Sequence, residues 1–180
     1  HGDESAVVIQ TIRGHLECVY PRKLCLASII NALVQGRFRD ALYMIRRHRI
    51  DFNVIVDHCG LKAFIQSAPE FVKQVSNLSY ITEFVCAITN GNVMETLYKD
   101  YILLPCQKEL NTVKSGYADN SDSNSKISSV LLAIRKALEE QIVESPSREL
   151  CILTTLAQSQ PPALAAALTR INFVLQMELS

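Results

Sequence analysis

The chain has 180 residues, of which 48% are hydrophobic and 20% are charged. This composition is typical of a globular protein with a buried core and excludes a disordered chain. Lysine plus arginine equals aspartate plus glutamate at 18 each, so overall charge predicts neither nucleic-acid nor membrane binding unless charges cluster locally. No apolar run approaches the roughly 18 residues of a membrane span, and no secretory signal opens the sequence, so we expect an intracellular chain without a membrane partner.

The first twenty residues predict a β-hairpin. Residues 6–12 are rich in β-branched side chains, Arg13 and Gly14 form a turn, and residues 15–20 alternate as a returning strand. An isolated hairpin is marginal in water, because it needs further strands or a covering helix. We therefore expect residues 1–20 to belong to a preceding β-rich domain.

From Pro21 onward the apolar residues follow helical spacing. The first helix begins near Pro21 and ends at Gly36, which stands in the position of a left-handed C-cap. A linker of one or two residues then predicts that the second helix packs against the first as an antiparallel hairpin. The second helix carries one apolar stripe, formed by Phe38, Ala41, Leu42 and Ile45.

Shorter helices are predicted next, over residues 52–58, 61–66, 70–78 and 80–88, before a turn at 93–98. Asp51 can cap the first of them. Ser67 and Glu70 have the spacing of a capping box, although Pro69 lies inside that first turn.

Residues 105–126 are rich in serine, asparagine, aspartate and glycine and predict a mobile loop, whose serines are either phosphorylation sites or part of a plain surface linker. Helical spacing resumes at Ile127, Ser145-Pro146 begins the next helix, and Pro161-Pro162 precede the last one. The apolar stripe of the last helix comprises Leu164, Leu168, Ile171, Leu175 and Leu179.

About eight helices in a row, with no strand after residue 20, predict a mainly α fold. We find no fixed repeat period, and the tetratricopeptide consensus is not legible. Irregular hairpins with open apolar ends favour an irregular α-solenoid, a superhelix of the tetratricopeptide type preceded by a β-hairpin, over a closed bundle.

A basic stretch lies at the end of the second helix, where the helix dipole favours cations. Its residues Arg46, Arg47 and Arg49 are candidates for binding phosphate groups. The alternatives are a solvated face paired with acids such as Asp40 and Asp51, or a contact with a partner protein. We favour these alternatives because no aromatic platform accompanies the arginines and the net charge is zero.

The six cysteines are scattered without a CxxC pair, which favours reduced, buried thiols. His58 and Cys59 are adjacent, but neighbouring residues on a helix point about 100° apart and do not readily share a metal or a proton. We interpret them as ordinary helix-end residues. No catalytic, cofactor-binding or metal site is expected.

Several stretches in order resemble one family, the largest subunit of the Elongator complex. The pattern comprises residues 12–22 (IRGHLECVYPR), 38–41 (FRDA), 46–53 (RRHRIDFN) and Asp57-His58, and later residues 71–75, 126–127, 133–137 and 150–154. The resemblance covers nearly the whole chain and is weakest over residues 99–124.

The resemblance implies a non-catalytic scaffold where that family's second β-propeller passes into its helical repeats. Residues 1–20 would be the propeller's terminal hairpin, 21–104 helical repeats, 105–126 a mobile loop and 127–180 further repeats. The family's large subunit holds the other Elongator subunits, dimerises through a far C-terminal region and supports wobble-uridine modification of transfer RNA, in the cytoplasm and also the nucleus. The chemistry, with acetyl-CoA, S-adenosylmethionine and an iron–sulfur cluster, belongs to a different subunit, so no cofactor is implied here.

Two other classes stay open at this point. A helical-repeat subunit of a vesicle coat or tether would share the propeller-and-solenoid layout and the lack of chemistry. A small helical enzyme using Cys59 with His58 or His48 would need an activated thiolate.

Overall fold

A computed structural model of the chain describes residues 7–19, 21–101 and 125–179. Within these ranges two short strands precede eight α-helices and one 3₁₀ turn, so the predicted mainly α fold is confirmed. The strands are β1 (Val7–Gln10) and β2 (Leu16–Val19), and the 3₁₀ turn is Lys99–Tyr101. The helices are α1 (Arg22–Val34), α2 (Phe38–His48), α3 (Asn53–Cys59), α4 (Leu61–Val75), α5 (Leu78–Ala87), α6 (Lys126–Gln141), α7 (Pro146–Gln158) and α8 (Leu164–Glu178).

The two strands pair antiparallel, with Val7 opposite Val19 and Gln10 opposite Leu16. The turn between them is closed by two backbone hydrogen bonds of 2.8 Å, from Thr11 N–H to the His15 carbonyl and from Gly14 N–H to the Thr11 carbonyl. Gly14 adopts a φ of 80°, which glycine reaches at little cost. Val8 and Leu16 are 65% and 73% exposed, so apolar side chains of this pair face solvent.

The helices pack on their chain neighbours and on helices two positions away. α1 packs on α2 and α3, α2 on α4, α4 on α6, and α5 on α7. Helices that contact both the next helix and the one after it form stacked hairpins, in which each hairpin covers the apolar face of the one before.

The α1–α2 hairpin forms as its sequence predicts. Gly36 has a φ of 70°, its N–H donates to the Leu33 carbonyl at 3.0 Å, and the next N–H, of Arg37, donates to Ala32 at 2.8 Å. These two bonds are a Schellman motif, so the predicted C-cap is confirmed. All four residues of the predicted α2 stripe are buried.

A side chain from another helix caps the start of α2. Arg37 gives no side-chain cap. Instead the Gln74 Oε1 accepts from the Phe38 N–H at 2.8 Å, while the Gln74 Nε2 donates to the Gly36 carbonyl at 2.8 Å. The amide of α4 thus satisfies backbone groups at the α1–α2 turn and fixes α4 against it.

Residues 61–75 form one helix, so the predicted break into 61–66 and 70–78 is wrong. Pro69 lies inside α4, where it removes one backbone donor and normally disfavours a helix. Burial outweighs this cost, because one apolar face continues through the proline: Phe64, Ala68, Phe71, Val72 and Val75 are all buried. The Ser67–Glu70 capping box is also wrong, since Ser67 lies in mid-helix; the break comes instead at Ser76, with a φ of 54°.

Phenylalanines form the centre of the core. The rings of Phe64, Phe71 and Phe84 lie within 4.8 to 5.7 Å of one another, centroid to centroid. Phe38 of α2 meets Phe71 edge-on at 5.8 Å. Because each ring comes from a different turn or helix, the cluster joins α2, α4 and α5 through aromatic contacts at favourable separations.

A cluster of largely buried polar side chains, which we call the Asn53 cluster, joins the helices before residue 102 to α6. Its members are Asp51, Asn53, Asp57 and Lys126. The Asn53 amide donates to Asp51 Oδ1 at 2.8 Å and to the Ala87 carbonyl at 3.0 Å, and it accepts from the Thr89 N–H at 3.0 Å. Asn53 is 1% exposed, so these bonds satisfy an amide that water does not reach.

The first residue of α6 completes this cluster. The Lys126 ammonium lies 2.7 Å from Asp57 Oδ1 and donates to Asn53 Oδ1 and to the Gly91 carbonyl, both at 2.8 Å. The side chains of Lys126 and Asp57 are 11% and 5% exposed. The start of α6 is thereby fixed to α3 and to the turn after α5 by a largely buried ion pair.

Most of the predicted loop at 105–126 lies outside the described residues. Its last two residues are helical or capping: Ser125 is the N-cap of α6, accepting from the Ser128 N–H at 3.2 Å, and Lys126 begins the helix. On the other side, the Tyr98 hydroxyl accepts from the Asp51 N–H at 2.9 Å. Residues shortly before and shortly after the undescribed segment therefore both bind the Asn53 cluster.

Ion pairs as well as apolar contacts join the last two helices. Ser145 caps α7 as predicted, accepting from the Arg148 N–H at 3.2 Å. The fully buried carboxylate of Glu149 contacts Arg148 at 2.7 Å and Arg170 of α8 at 3.1 Å, and Arg170 also pairs with Glu139. None of the residues of α8 is buried, and the predicted stripe from Leu164 to Leu179 is exposed.

We predict that Lys126→Met strongly destabilises the chain. The substitution leaves the buried Asp57 carboxylate without its cation, and removing one partner of a buried ion pair costs about 3–5 kcal/mol. The control Lys136→Met changes an exposed residue of the same helix and should alter stability by less than about 0.5 kcal/mol. Urea denaturation followed by circular dichroism measures both, and equal losses would contradict this role for Lys126.

Candidate functional site

The three candidate arginines occupy the C-terminal part of α2 and its cap. Arg46 and Arg47 are exposed on the last turn of the helix. Arg49 is the C-cap residue with a left-handed φ of 53°, and its carbonyl accepts from the Arg22 Nη2 at 3.1 Å. The structure brings Arg46 and Arg47 together in one cavity, whereas Arg49 is not among the residues that line it.

Arg46 is held from two sides by α5. Its Nε donates to the Glu83 Oε2 at 2.7 Å, and its guanidinium carbon lies 3.7 Å from the centre of the Tyr80 ring. The hydrogen bond with Glu83 is the main cause that raises the pKa of the Arg46 guanidinium. Arg46 is therefore a fixed, permanently charged group stacked on an aromatic ring.

A second arginine and a second tyrosine extend this arrangement along α2. The guanidinium of Arg39 lies 5.3 Å from the centre of the Tyr43 ring, and the Tyr43 and Tyr80 rings meet edge-on at 5.6 Å. We call Arg39, Tyr43, Arg46, Arg47, Tyr80 and Glu83 the arginine–tyrosine surface. All but Arg39 line one shallow cavity of about 310 Å³.

Two expectations about the basic stretch are corrected. Aromatic rings do accompany the arginines, because α5 brings Tyr80 to Arg46 and Tyr43 lies one turn before it. The acid that pairs with Arg46 is Glu83, 37 residues away in the chain. Asp40 pairs with Arg37 at 2.9 Å, and Asp51 accepts from the Asn53 backbone and amide.

Tyr80 and Glu83 are the functional candidates that sequence reasoning missed. No local signal marks them, since they lie on a separate helix and face Arg46 only when α5 folds against the earlier helices. Tyr43 had a signal: it lies four residues after Arg39, a spacing that places two residues on one helix face.

His58 and Cys59 end α3, as predicted, and both line a groove of about 430 Å³ with residues of α1 and α4. Burial lowers the pKa of the His58 imidazole and raises the pKa of the Cys59 thiol. Both shifts favour neutral groups at pH 7, whereas an activated cysteine needs a thiolate, commonly beside a charged imidazolium. This pair therefore lacks the electrostatics of a nucleophilic site.

Cys25, Cys86 and Cys151 form no disulfide bonds. Cys25 and Cys151 are buried, as expected, while Cys86 is exposed, contrary to expectation. Cys106 lies outside the described residues. Among the residues that the structure describes, no group of three or more histidine, cysteine, aspartate or glutamate side chains is placed to hold a metal ion. In the same part of the chain, every helix is too short or too polar to cross a lipid bilayer.

The stacked hairpins define a class of protein. Each helix from α1 to α7 buries its apolar stripe on its neighbours. This is the architecture of an α-solenoid.

Comparison with known proteins gives the family. Residues 22–179 match the family described as ELP1 alpha-solenoid. The chain is 62% identical over 179 residues to Elongator complex protein 1 of Arabidopsis thaliana, 25% identical over 178 to that of Saccharomyces cerevisiae, and 29% identical over 170 to a putative Elongator complex protein 1 of Xenopus laevis. These alignments cover 99%, 94% and 94% of this chain and 13% of each relative. The chain belongs to the ELP1 alpha-solenoid family.

Family membership confirms two predictions from the sequence. The resemblance to the largest Elongator subunit is confirmed, and so is the choice of an α-solenoid over a closed bundle. The match begins at Arg22, the first residue of α1, and runs through α8, so it includes helices on both sides of the undescribed residues 102–124.

We predict that His58 makes the chain less stable in mild acid. Its pKa is lowered in the folded state, so the unfolded chain takes up this proton at higher pH, near its ordinary value of about 6.5. His58 therefore leaves the free energy of unfolding unchanged above about pH 6.5 and lowers it as the pH falls below that value. Urea denaturation between about pH 7.5 and 5.5 measures the free energy of unfolding.

The variant His58→Gln should lose this part of the pH dependence. His15→Gln, at an exposed position of the β-turn, serves as the control and should retain the slope of the unchanged chain. Identical slopes in all three proteins would refute the burial effect.

Proposed function

We propose that this segment is a non-catalytic scaffold element of the large subunit of Elongator, and that it supports wobble-uridine modification of transfer RNA by holding other subunits. The observation that carries the proposal is a family match through all eight described helices, stacked as one solenoid. The described residues would supply packing contacts and a binding surface. Burial keeps the side chains of His58 and Cys59, the pair considered for catalysis, neutral at pH 7.

The proposed mechanism is mechanical. A helical stack fixes the distance and angle between domains at its two ends only when its hairpins do not shift against each other. The aromatic cluster joins α2 to α5, the Asn53 cluster joins these to α6, and Glu149 joins α7 to α8. Residues 1–20 would be the last hairpin of a preceding propeller, with helical repeats over 21–104 and 127–180 and a mobile loop at 105–126 between them.

The Elongator assignment has better support than a vesicle coat or tether subunit, because the relatives above carry the name of an Elongator protein. The parent chain would contact other Elongator subunits and dimerise through a region outside this segment, in the cytoplasm and also the nucleus. Arg46, Arg47 and Arg49 would contact a partner protein in preference to transfer RNA.

We predict that the folded stack is required for assembly and activity of the full-length chain. The variant Phe71→Asp places a carboxylate in the aromatic cluster, where Phe71 is 0% exposed, at a cost of several kcal/mol. The control Ile65→Asp changes a residue of the same helix that is 37% exposed. Each variant replaces the natural chain in cells, and samples are compared at equal amounts of the tagged chain.

Two readouts check this prediction: co-purification of Elongator subunits with the tagged chain, and wobble-uridine modification measured by mass spectrometry. Phe71→Asp should lower both by more than about tenfold, the effect of ~1.4 kcal/mol or more on an equilibrium, while Ile65→Asp keeps both near normal. Normal assembly and modification with Phe71→Asp, or co-purification of the unchanged chain with coat proteins instead, would overturn the proposal.

A further inference from the structure

We propose that Asn90 is a site of spontaneous deamidation, at which the backbone nitrogen of Gly91 attacks the side-chain amide and converts it to a carboxyl group, and that this modification loosens the start of α6 from the turn after α5. The inference goes beyond the proposed scaffold role and does not depend on it, because it concerns the chemistry of one turn.

The sequence supplies the reactive pair. Asn90-Gly91 is the one asparagine–glycine pair in the 180 residues. A glycine nitrogen reaches the preceding side-chain carbon readily, because glycine has no Cβ to obstruct ring closure and adopts backbone conformations that cost other residues free energy. Asn90 and Gly91 lie in the turn after α5, outside any helix, and both are exposed to the water that the reaction consumes.

The hydrogen bonds of this turn leave the attacking group available. Among the residues that the structure describes, none accepts a hydrogen bond from the Gly91 N–H, although the Gly91 carbonyl accepts from the Lys126 ammonium at 2.8 Å. The Asn90 Oδ1 accepts from the Ile127 N–H at 3.2 Å. Negative charge develops on this oxygen during the attack, so a backbone donor at the start of α6 stabilises the intermediate.

The reaction needs water as its only other reactant. The Gly91 nitrogen loses its proton to a solvent base and forms a bond to the Asn90 Cγ. The bond from Cγ to the side-chain nitrogen breaks, and this nitrogen leaves as ammonia after taking a proton from water. Water then opens the resulting succinimide ring at either carbonyl carbon, which gives aspartate or isoaspartate at position 90.

Both products alter contacts of the helices that follow. The Asn90 amide donates to the Gln160 Oε1 at 3.3 Å, and a carboxylate has no hydrogen to donate in its place. Isoaspartate also lengthens the main chain by one methylene group before Gly91, whose carbonyl binds Lys126. Because Lys126 and Ile127 are the first two residues of α6, the modification weakens the hold of the turn on this helix.

Incubation of the full-length chain at neutral pH in heavy-oxygen water tests the proposal. Each carboxyl group formed during incubation carries the heavy isotope, and mass spectrometry of the tryptic peptide 74–99 locates it. Asn77, which precedes leucine, and Asn92, which precedes valine, lie in the same peptide and serve as internal controls. We expect deamidation at Asn90 to be more than about tenfold faster than at either control, and isoaspartyl methyltransferase should detect the isoaspartate.

The variant Gly91→Ala tests the route of the reaction. A Cβ at this position would meet no atom within 4 Å, and Gly91 is not among the glycines with a positive φ, so the variant should retain the fold. The added methyl group hinders ring closure and should slow deamidation of Asn90 by about tenfold. The control Thr89→Ser changes the exposed residue before Asn90 and should keep the rate of the unchanged chain.

Amide hydrogen exchange over residues 125–131 measures the effect on α6 in the same samples. Exchange should become faster as the unchanged chain is incubated, and it should stay constant over the same time in Gly91→Ala. Equal rates at the three asparagines, or a rate at Asn90 that does not respond to Gly91→Ala, would overturn the modification site. Unaltered exchange in the deamidated chain would overturn its effect on α6.

Discussion

The structure depends on one buried polar constraint, the contact of Asn53 and Asp57 with Lys126. A lysine and an aspartate that are 11% and 5% exposed are costly to bury, and they remain there because each is bonded. The carboxylate also accepts from the Val93 N–H at 2.9 Å, so it holds the turn after α5 as well as α6. Described side-chain polar atoms that are fully buried all have hydrogen-bond partners, and this cluster shows how a stack made largely of apolar contacts fixes one register.

This constraint explains part of the family signature. The residues RRHRIDFN and the later Asp57 include two members of the arginine–tyrosine surface and three members of the Asn53 cluster. Arg46 faces α5, while Asp51, Asn53 and Asp57 lie at the following turn and helix. One short stretch therefore both joins the stack and supplies two arginines to the arginine–tyrosine surface.

Residues that mark helix ends made much of the fold predictable from the sequence. Gly36 and Ser145 mark helix ends by their own backbone or side-chain chemistry, and both were identified correctly. Pro69 misled because its local cost is outweighed by a buried face that only the tertiary structure reveals. The candidate site was half predictable: Arg46 and Arg47 were found as a charge cluster, but Tyr80 and Glu83 come from another helix, and no spacing rule connects residues 37 positions apart.

The proposed scaffold role requires a helical stack that keeps its shape. Pulsed electron paramagnetic resonance, with spin labels at the exposed positions Ala27 of α1 and Asn172 of α8, measures this most directly in the full-length chain. A rigid scaffold predicts one narrow distance distribution that is the same in the free chain and in the assembled complex. A broad distribution, or one that shifts on assembly, would contradict it.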